Sequence, residues 1–216
     1  MCEQLALRPA RRIAPGQSVY LAGDAARSVF FLRSGLVKTS VLAQRGDEVI
    51  LRLHKTGEVF GELCFCTGAR REQAVALELS DVVEIPFEDL IRRLRADSQA
   101  LFDLLSVVCE RLAESYERLE SVSLELTMER LVRALLKLAD DLGQTAADGL
   151  AIDHYIRQRD LAGIVAARRE VVSTLLNQLR NRGLISYPRK GRIQLDRRAL
   201  RSYLDTIVAK RDRTEG

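Results

Sequence analysis

The sequence predicts an α+β protein in three consecutive parts. They are an N-terminal β-roll of jelly-roll size over residues 1–97, one long helix over 98–126, and a C-terminal winged helix-turn-helix over 127–216. Three observations predict it. Residues 10–85 are short β-branched or aromatic runs separated by glycines, the pattern of an antiparallel sandwich or barrel. Residues 101–126 carry an apolar heptad seam. Residues 158–185 alternate as two short amphipathic helices around a tight turn, and a basic hairpin follows.

In the first part the expected strands are 12–17, 18–21, 28–32, 36–42 and 49–53, with Gly16, Gly23, Gly35, Gly46, Gly57 and Gly61 between them or after them. After Pro86 the period changes to that of a helix. Leu101, Leu105, Val108, Leu112, Ser115, Leu119, Val122 and Leu126 are then spaced alternately by four and three. Such a seam suits a two-stranded coiled coil, so a homodimer is expected; a helix packed on its own roll is the other use of the same stripe. A further helix starts near Thr127–Glu129 and stops at Gly143, and residues 144–155 read as a loop.

The helix-turn-helix follows. Leu161, Ala162, Ile164 and Val165 form one apolar set, and Val171, Val172, Leu175, Leu176 and Leu179 the other, with Ala162 small enough to let the helices cross closely. Arg168, Arg169, Glu170, Ser173 and Thr174 are left on the outer side of the second helix's first turns. Those turns are the ones that reach base edges in a major groove. Residues 185–188 and 192–195 flank Arg189-Lys190-Gly191 as a basic wing, and Asp196 caps a last helix running to about Lys210.

Charge follows the same division. Residues 1–126 hold 16 basic and 19 acidic side chains, and residues 127–216 hold 18 and 11, so the net charges of −3 and +7 give the overall +4. From Arg168 to Arg201 there are ten basic residues against Glu170 and Asp196 alone. A polyanion partner is expected at this end, with Arg180, Arg189, Lys190 and Arg192 on phosphates.

Other functions find little support. There is no apolar run of membrane length and no secretory signal pattern, so a cytoplasmic protein is expected. Cys2, Cys64, Cys66 and Cys109 are too few and too irregular for a disulfide scaffold. His54 and His154 lie in different parts, and no nucleophile motif, phosphate loop or zinc spacing occurs, so neither an enzyme nor a metal site is expected.

The order of roll, long helix and winged helix-turn-helix resembles the Crp/Fnr family, the cyclic AMP receptor protein and its relatives, from about Ile13 to Leu204. Gly57-Glu58-Val59-Phe60-Gly61-Glu62-Leu63 and Arg169-Glu170-Val171-Val172-Ser173 carry the likeness. It implies a dimeric bacterial transcription regulator in which an effector in the roll reorients the DNA-binding parts. The implied partners are a near-palindromic operator, a second copy of the chain, and RNA polymerase. Effector-pocket candidates by this resemblance are Gly61, Glu62, Leu63, Glu72, Gln73, Ser115 and Tyr116. The Arg-Ser pair that holds the cyclic phosphate in cyclic AMP binders aligns with Glu72-Gln73. A carboxylate there repels phosphate, so cyclic AMP is not the expected effector; another small molecule is. The Thr-Ser pair that receives adenine aligns with Ser115-Tyr116.

Two alternatives stay open, a constitutive regulator with a degenerate roll and a thiol redox sensor. Cys64 and Cys66 would lie on one face of an extended stretch and could chelate or oxidise, although such thiols are more often small core residues. Iron-sulfur relatives carry an N-terminal cysteine group, whereas only Cys2 precedes the roll here, so no such cluster is expected. Gas-sensing relatives use a histidine on haem, but His54, alone after a strand, reads as a polar loop residue.

By resemblance Arg169 and Glu170 lead the base readout, arginine to guanine and glutamate to cytosine N4. Glu170 could instead pair with Arg169 or Thr174 along its own helix. Thr174 stands where both main branches have arginine, a contact worth about 1–3 kcal/mol of discrimination, so the half-site should differ from TGTGA and TTGAT. Arg168 replaces a Ser or Thr N-cap, at a cost of about 1 kcal/mol. Ala166 replaces a turn glycine, and keeping the left-handed turn would strain it by ~1 kcal/mol.

Overall fold

Short β-branched and aromatic runs in the N-terminal part build two four-stranded sheets; the computed structural model describes residues 8–43, 46–65, 68–146, 149–152, 156–187 and 192–215. The strands are β1 (Arg11–Ile13), β2 (Ser18–Tyr20), β3 (Ser28–Ser34), β4 (Leu36–Leu42), β5 (Glu48–Lys55), β6 (Val59–Phe60), β7 (Gln73–Ala76) and β8 (Ser80–Pro86). One sheet has the order β1-β8-β3-β6 and the other β2-β7-β4-β5. The expected strand at 12–17 ends at Ile13, because Pro15 and Gly16 turn the chain and the Gly16 N–H donates to the Ala76 carbonyl.

β3 is buried on both faces, so it reads as an unbroken apolar run rather than an alternating one. Its period of two still sorts the side chains. Phe30 and Leu32 enter the roll with Tyr20, Phe60 and Val82. Val29 and Phe31 point the other way, with Val83 and Ile85, towards helix α1 (Phe87–Ala96), which contributes Leu90 and Leu94.

Helix α2 (Ser98–Leu124) starts where the Asp97 carboxylate accepts the N–H groups of Gln99 and Ala100. Ala100 is its one buried residue, and the seam is exposed along its length: Leu101 is 51% exposed, Leu105 54%, Leu112 50% and Leu119 65%. The helix stops short of expectation. Leu126 stands outside it, at the extended N-cap of helix α3 (Thr127–Leu142), so the last seam position is not helical.

The chain falls into two compact units, residues 1–46 with 50–119 and residues 120–216 with 47–49, and α2 runs through the division. In the second unit α3 buries Leu131, Val132, Leu135, Leu138 and Ala139 and ends at Gly143. Glu129 on its first turn is fully buried and pairs at 2.6 Å with Arg211 of helix α6 (Arg197–Glu215).

The segment expected as a loop, 144–155, is in part a hairpin. β9 (Gly143–Ala146) pairs antiparallel with β10 (Gly149–Ile152), and β10 pairs with β12 (Ile193–Leu195), which also holds β11 (Ile185–Ser186). Asp148-Gly149 is the turn signal that accompanies it in the sequence. Among the described residues no helix is long and apolar enough to cross a membrane.

Candidate nucleic-acid interface

Helix α4 (Gln158–Ile164) begins where the buried Asp160 carboxylate accepts the Arg157 N–H at 3.0 Å. Leu161, Ala162 and Val165 are buried, as are Val172, Leu176 and Leu179 of helix α5 (Arg169–Asn181), which packs on α4. In the turn Val165 sits at φ −90°, and Ala166 is the one described non-glycine residue with positive φ, at 49°. The alanine therefore keeps the left-handed turn, with the strain this entails. Its neighbours are held by Val165 N–H to Leu161 O and Ala167 N–H to Ala162 O, both 3.0 Å.

Arg168 is the N-cap of α5 and makes no capping side-chain bond. Arg168, Arg169 and Glu170 are exposed, as is Thr174, and Ser173 is half-buried. The Thr174 hydroxyl donates to the Glu170 backbone carbonyl, 3.0 Å away, and not to its carboxylate. No described residue pairs with the Glu170 carboxylate, so the intrahelical alternative is not the arrangement seen. The far end of α5 closes at Gly183, φ +72°, where Gly183 N–H reaches Arg180 O and Leu184 N–H reaches Leu179 O. Arg180 is exposed on that last turn, and Arg192 is exposed beside β12; Arg189 and Lys190 at the wing tip lie outside the described residues. Burial raises the Tyr187 phenol above its ordinary value, with the Arg180 charge opposing.

Two residues escaped the sequence reading. Val171, expected in the apolar core, is 43% exposed beside Glu170. A strict 172, 176, 179 spacing would have excluded it. Arg130 of α3 is the second. Its Nε donates to Val165 O at 3.0 Å, its Nη1 to Glu125 O at 2.8 Å, and its Nη2 to Thr127 Oγ1 at 3.4 Å. One guanidinium thus ties the break between α2 and α3 to the residue preceding Ala166.

Of the effector candidates, Gly61 and Glu72 meet at Tyr20, while Leu63, Ser115 and Tyr116 are exposed. Gly61 is buried at φ +81°, and a Cβ there would lie 2.9 Å from Arg70 Nη1. Arg70 is itself buried: it donates to Gly61 O at 2.8 Å and also to Ser28 O, and its guanidinium lies 4.3 Å over the Tyr20 ring. Glu72, 3% exposed, accepts the Tyr20 hydroxyl at 2.8 Å. Burial, then the Glu72 charge, push the Tyr20 phenol far above its ordinary range. Gln73 donates to Ser40 Oγ, Glu62 pairs with Arg111 of α2, Leu63 is exposed, and Ser115 and Tyr116 are exposed on α2, where Ser115 Oγ donates back to Arg111 O.

Two expectations in the roll are corrected. Cys64 lies in a 3-10 turn, Glu62–Phe65, not in an extended stretch, because Gly61 turns the chain; the strand argument that aligned it with Cys66 does not apply, and Cys66 lies outside the described residues. His54 is not in a loop. It is within β5, 2% exposed, stacked on Phe60 at 5.1 Å and hydrogen-bonded through Nε2 to Thr39 Oγ1 at 3.1 Å. Burial pushes its pKa below the ordinary 6.5, and Glu58 and Glu62 oppose that while Arg111 adds to it.

Comparison with known proteins agrees with both halves of this geometry. Residues 10–97 match the cyclic nucleotide-binding domain and residues 129–203 the Crp-like helix-turn-helix domain. The cyclic AMP receptor protein of Thermus thermophilus is 30% identical over 177 residues, covering 81% of this chain and 79% of that one. The global nitrogen regulator of Nostoc sp. is 29% identical over 177 residues with the same coverage. A solved CRP-family transcriptional regulator from Thermus thermophilus superposes with a TM-score of 0.78 and 27% identity, over 90% of this chain and 96% of that one. With a roll, a long helix and a helix-turn-helix, the chain belongs to the Crp/Fnr family of DNA-binding transcription regulators.

Proposed function

We propose that the chain is a dimeric, sequence-specific regulator in which α5 reads base edges of a near-palindromic operator, gated by a small-molecule effector other than cyclic AMP. The observation that carries it is the exposed first turn of α5, where Arg168, Arg169 and Glu170 project without a described partner. An acid amid ten basic residues is repelled by phosphate, and cytosine N4 is the donor that suits it. Arg169 suits guanine O6 and N7, and Val171 offers an apolar contact to a thymine methyl. Ser173 and Thr174 complete the reading face. Arg180 and Arg192, with Arg189 and Lys190, are assigned to phosphates.

Dimerisation rests on the α2 seam. Leu101, Leu105, Val108, Leu112, Leu119, Val122 and Leu126 are all exposed, and all but Leu126 lie on α2 as an apolar stripe, interrupted at Ser115, that a second copy would cover. Two such chains set half-sites one helical turn apart. RNA polymerase is the further partner this reading implies, the cytoplasm is its place, and no catalytic role is proposed.

Glu170→Ala tests the readout: selection from randomised operators should show relaxed preference at one base pair per half-site, worth about 1–3 kcal/mol. Unchanged preference would remove the assignment. A second reading, constitutive DNA binding, is favoured by one observation, the Arg70 side chain filling the roll above Gly61. Anisotropy titration with and without cyclic AMP, cyclic GMP, cyclic di-GMP or an oxidant separates the two. Binding that needs one addition supports gating, and a need for oxidant would support the Cys64–Cys66 thiol reading. Tight selective binding with no addition supports the constitutive one.

A further inference from the structure

The first unit leaves a large space open away from the roll interior. A cavity of about 800 Å³ lies among the outer face of the β3–β8 sheet, α1 and the first half of α2. Its apolar wall includes Val29, Val59, Ile85, Leu90, Leu94 and Leu104. Val29, Ile85, Leu90 and Leu94 belong to one buried cluster, yet Val107 and Val108 of α2, which also line the space, are 37% and 43% exposed. A space of this volume between apolar walls falls within the range of small-molecule sites.

Its charge is nearly balanced. Five guanidiniums (Arg8, Arg52, Arg92, Arg93, Arg111) and four carboxylates (Glu58, Glu62, Asp89, Glu110) line it, and Glu114, paired with Arg52, brings the two signs level, so the head is drawn by the open Nε donors and not by a net charge. Several polar atoms on the wall make no hydrogen bond: Arg52 Nε and Arg111 Nε, both donors, and Glu58 Oε2, which lies 3.5 Å from Arg52 Nε. Buried donors in this condition cost free energy until an acceptor reaches them.

Among the described residues, two side chains of the roll interior stand against an anion. Arg70 occupies the space above Gly61, and Glu72 adds a buried carboxylate that accepts the Tyr20 hydroxyl. A phosphate entering there would face repulsion from Glu72 and would have to draw Arg70 off two carbonyls.

We propose that the cavity between the roll, α1 and α2 is the effector site, and that it takes an amphipathic monoanion with an extended apolar body and one carboxylate-like head. This rests on the effector-gated reading above and names its ligand class and place. The body fills the Val29–Leu104 wall, and the head takes the Arg52 and Arg111 donors. Occupancy is sensed by α2 itself, since Val108 belongs to both the cavity and the dimer seam. Any shift in DNA binding then equals the ligand's differential affinity for the two arrangements of α2.

Calorimetric titration of the full chain with dodecanoate tests it, using dodecanol as the uncharged tail and butanoate as the head without the tail. Dodecanoate should saturate near one per chain, and dodecanol and butanoate should each bind at least tenfold more weakly. Leu104→Trp, which fills the cavity, should weaken dodecanoate at least tenfold, and Val107→Trp provides the same test should the first variant fail to melt cooperatively. Glu72→Gln in the roll should leave dodecanoate affinity unchanged. Absence of saturable binding, or equal binding by the tryptophan variants, overturns the site; dodecanol binding as well as dodecanoate overturns the monoanion. Operator anisotropy on the same preparation keeps the readings apart. Selective operator binding without dodecanoate binding defeats the cavity alone, whereas loss of operator selectivity defeats the regulator reading.

Discussion

The two units use arginine in opposite ways. In the roll, Arg70 is buried and commits its guanidinium to Gly61 O and Ser28 O, while Arg52 and Arg111 are tied to Glu58, Glu62 and Glu114. At the recognition helix, Arg168 and Arg169 are exposed and no described residue holds their side chains. A guanidinium engaged internally stabilises a conformation and is costly to remove. One left in water adds little to the fold and is available to phosphate or a base. The sign and number of charges cannot separate these uses; only their partners can.

The largest test of that contrast is Arg70→Met. It strips two buried carbonyls of a charged donor and removes the cation stacked on Tyr20, at an expected cost of about 3 kcal/mol. Urea unfolding should show the loss in the first unit, and operator affinity at fixed salt should be unchanged so long as the chain is folded. A variant as stable as the parent would mean that Arg70 is not engaged internally, and the contrast would fail on that side.

Arg130 crosses the division, being an internally engaged arginine inside the DNA-binding unit. Arg130→Met frees the carbonyls of Glu125 and Val165, the first at the break after α2 and the second just before the strained Ala166. Charged hydrogen bonds of this kind are worth about 1.5–3 kcal/mol. The expected outcome is a drop in operator affinity of about 2 kcal/mol with specificity retained at every base pair, because α5 keeps its side chains while its placement is loosened. Altered base preference in a selection experiment would instead make Arg130 part of the readout.

The same contrast explains what was legible in the sequence. Elements whose logic is local were read directly: β1 to β5 from β-branched or aromatic runs and glycine spacing, α2 from its heptads, α4 and α5 from helical period and Gly183, while β6, β7 and β8 were not named. Those that depend on a distant partner were not. β9 and β10 are short strands whose sheet is completed by β12, far along the chain, so the segment was read only as a loop. His54 looked like a lone polar residue because its burial is created by Thr39 and Phe60, on other strands. Arg130 gathers carbonyls from separate segments, and carbonyls leave no signature in a sequence. The exposed face of α5 was nonetheless visible, since exposure on an amphipathic helix is what remains once the apolar stripe is removed.

Ala166→Gly sharpens the comparison from the DNA side. At φ 49° an alanine carries strain of ~1 kcal/mol that glycine does not, but glycine also gains freedom in the unfolded chain. The two effects nearly cancel in stability, so the melting temperature should move by no more than a few degrees. Operator affinity should stay within about threefold, because the turn geometry is retained. A large change in affinity would mean that the alanine methyl takes part in positioning α5 rather than merely tolerating the turn.

The smallest expected effect is also the one that separates the two kinds of arginine most cleanly. Arg180→Ala removes an exposed guanidinium on the last turn of α5. Unfolding free energy should stay within about 0.5 kcal/mol, as for most surface changes. What should change is the dependence of operator binding on salt. Removing one arginine–phosphate interaction lowers the slope of log K against log salt by about 1, and it weakens all sequences alike. Arg70→Met, compared in the same titration, should leave that slope untouched while lowering stability. If the slope of Arg180→Ala equals the parent's, this arginine is not at the phosphates, and the path of the backbone across α5 must be redrawn towards Arg192 and the wing.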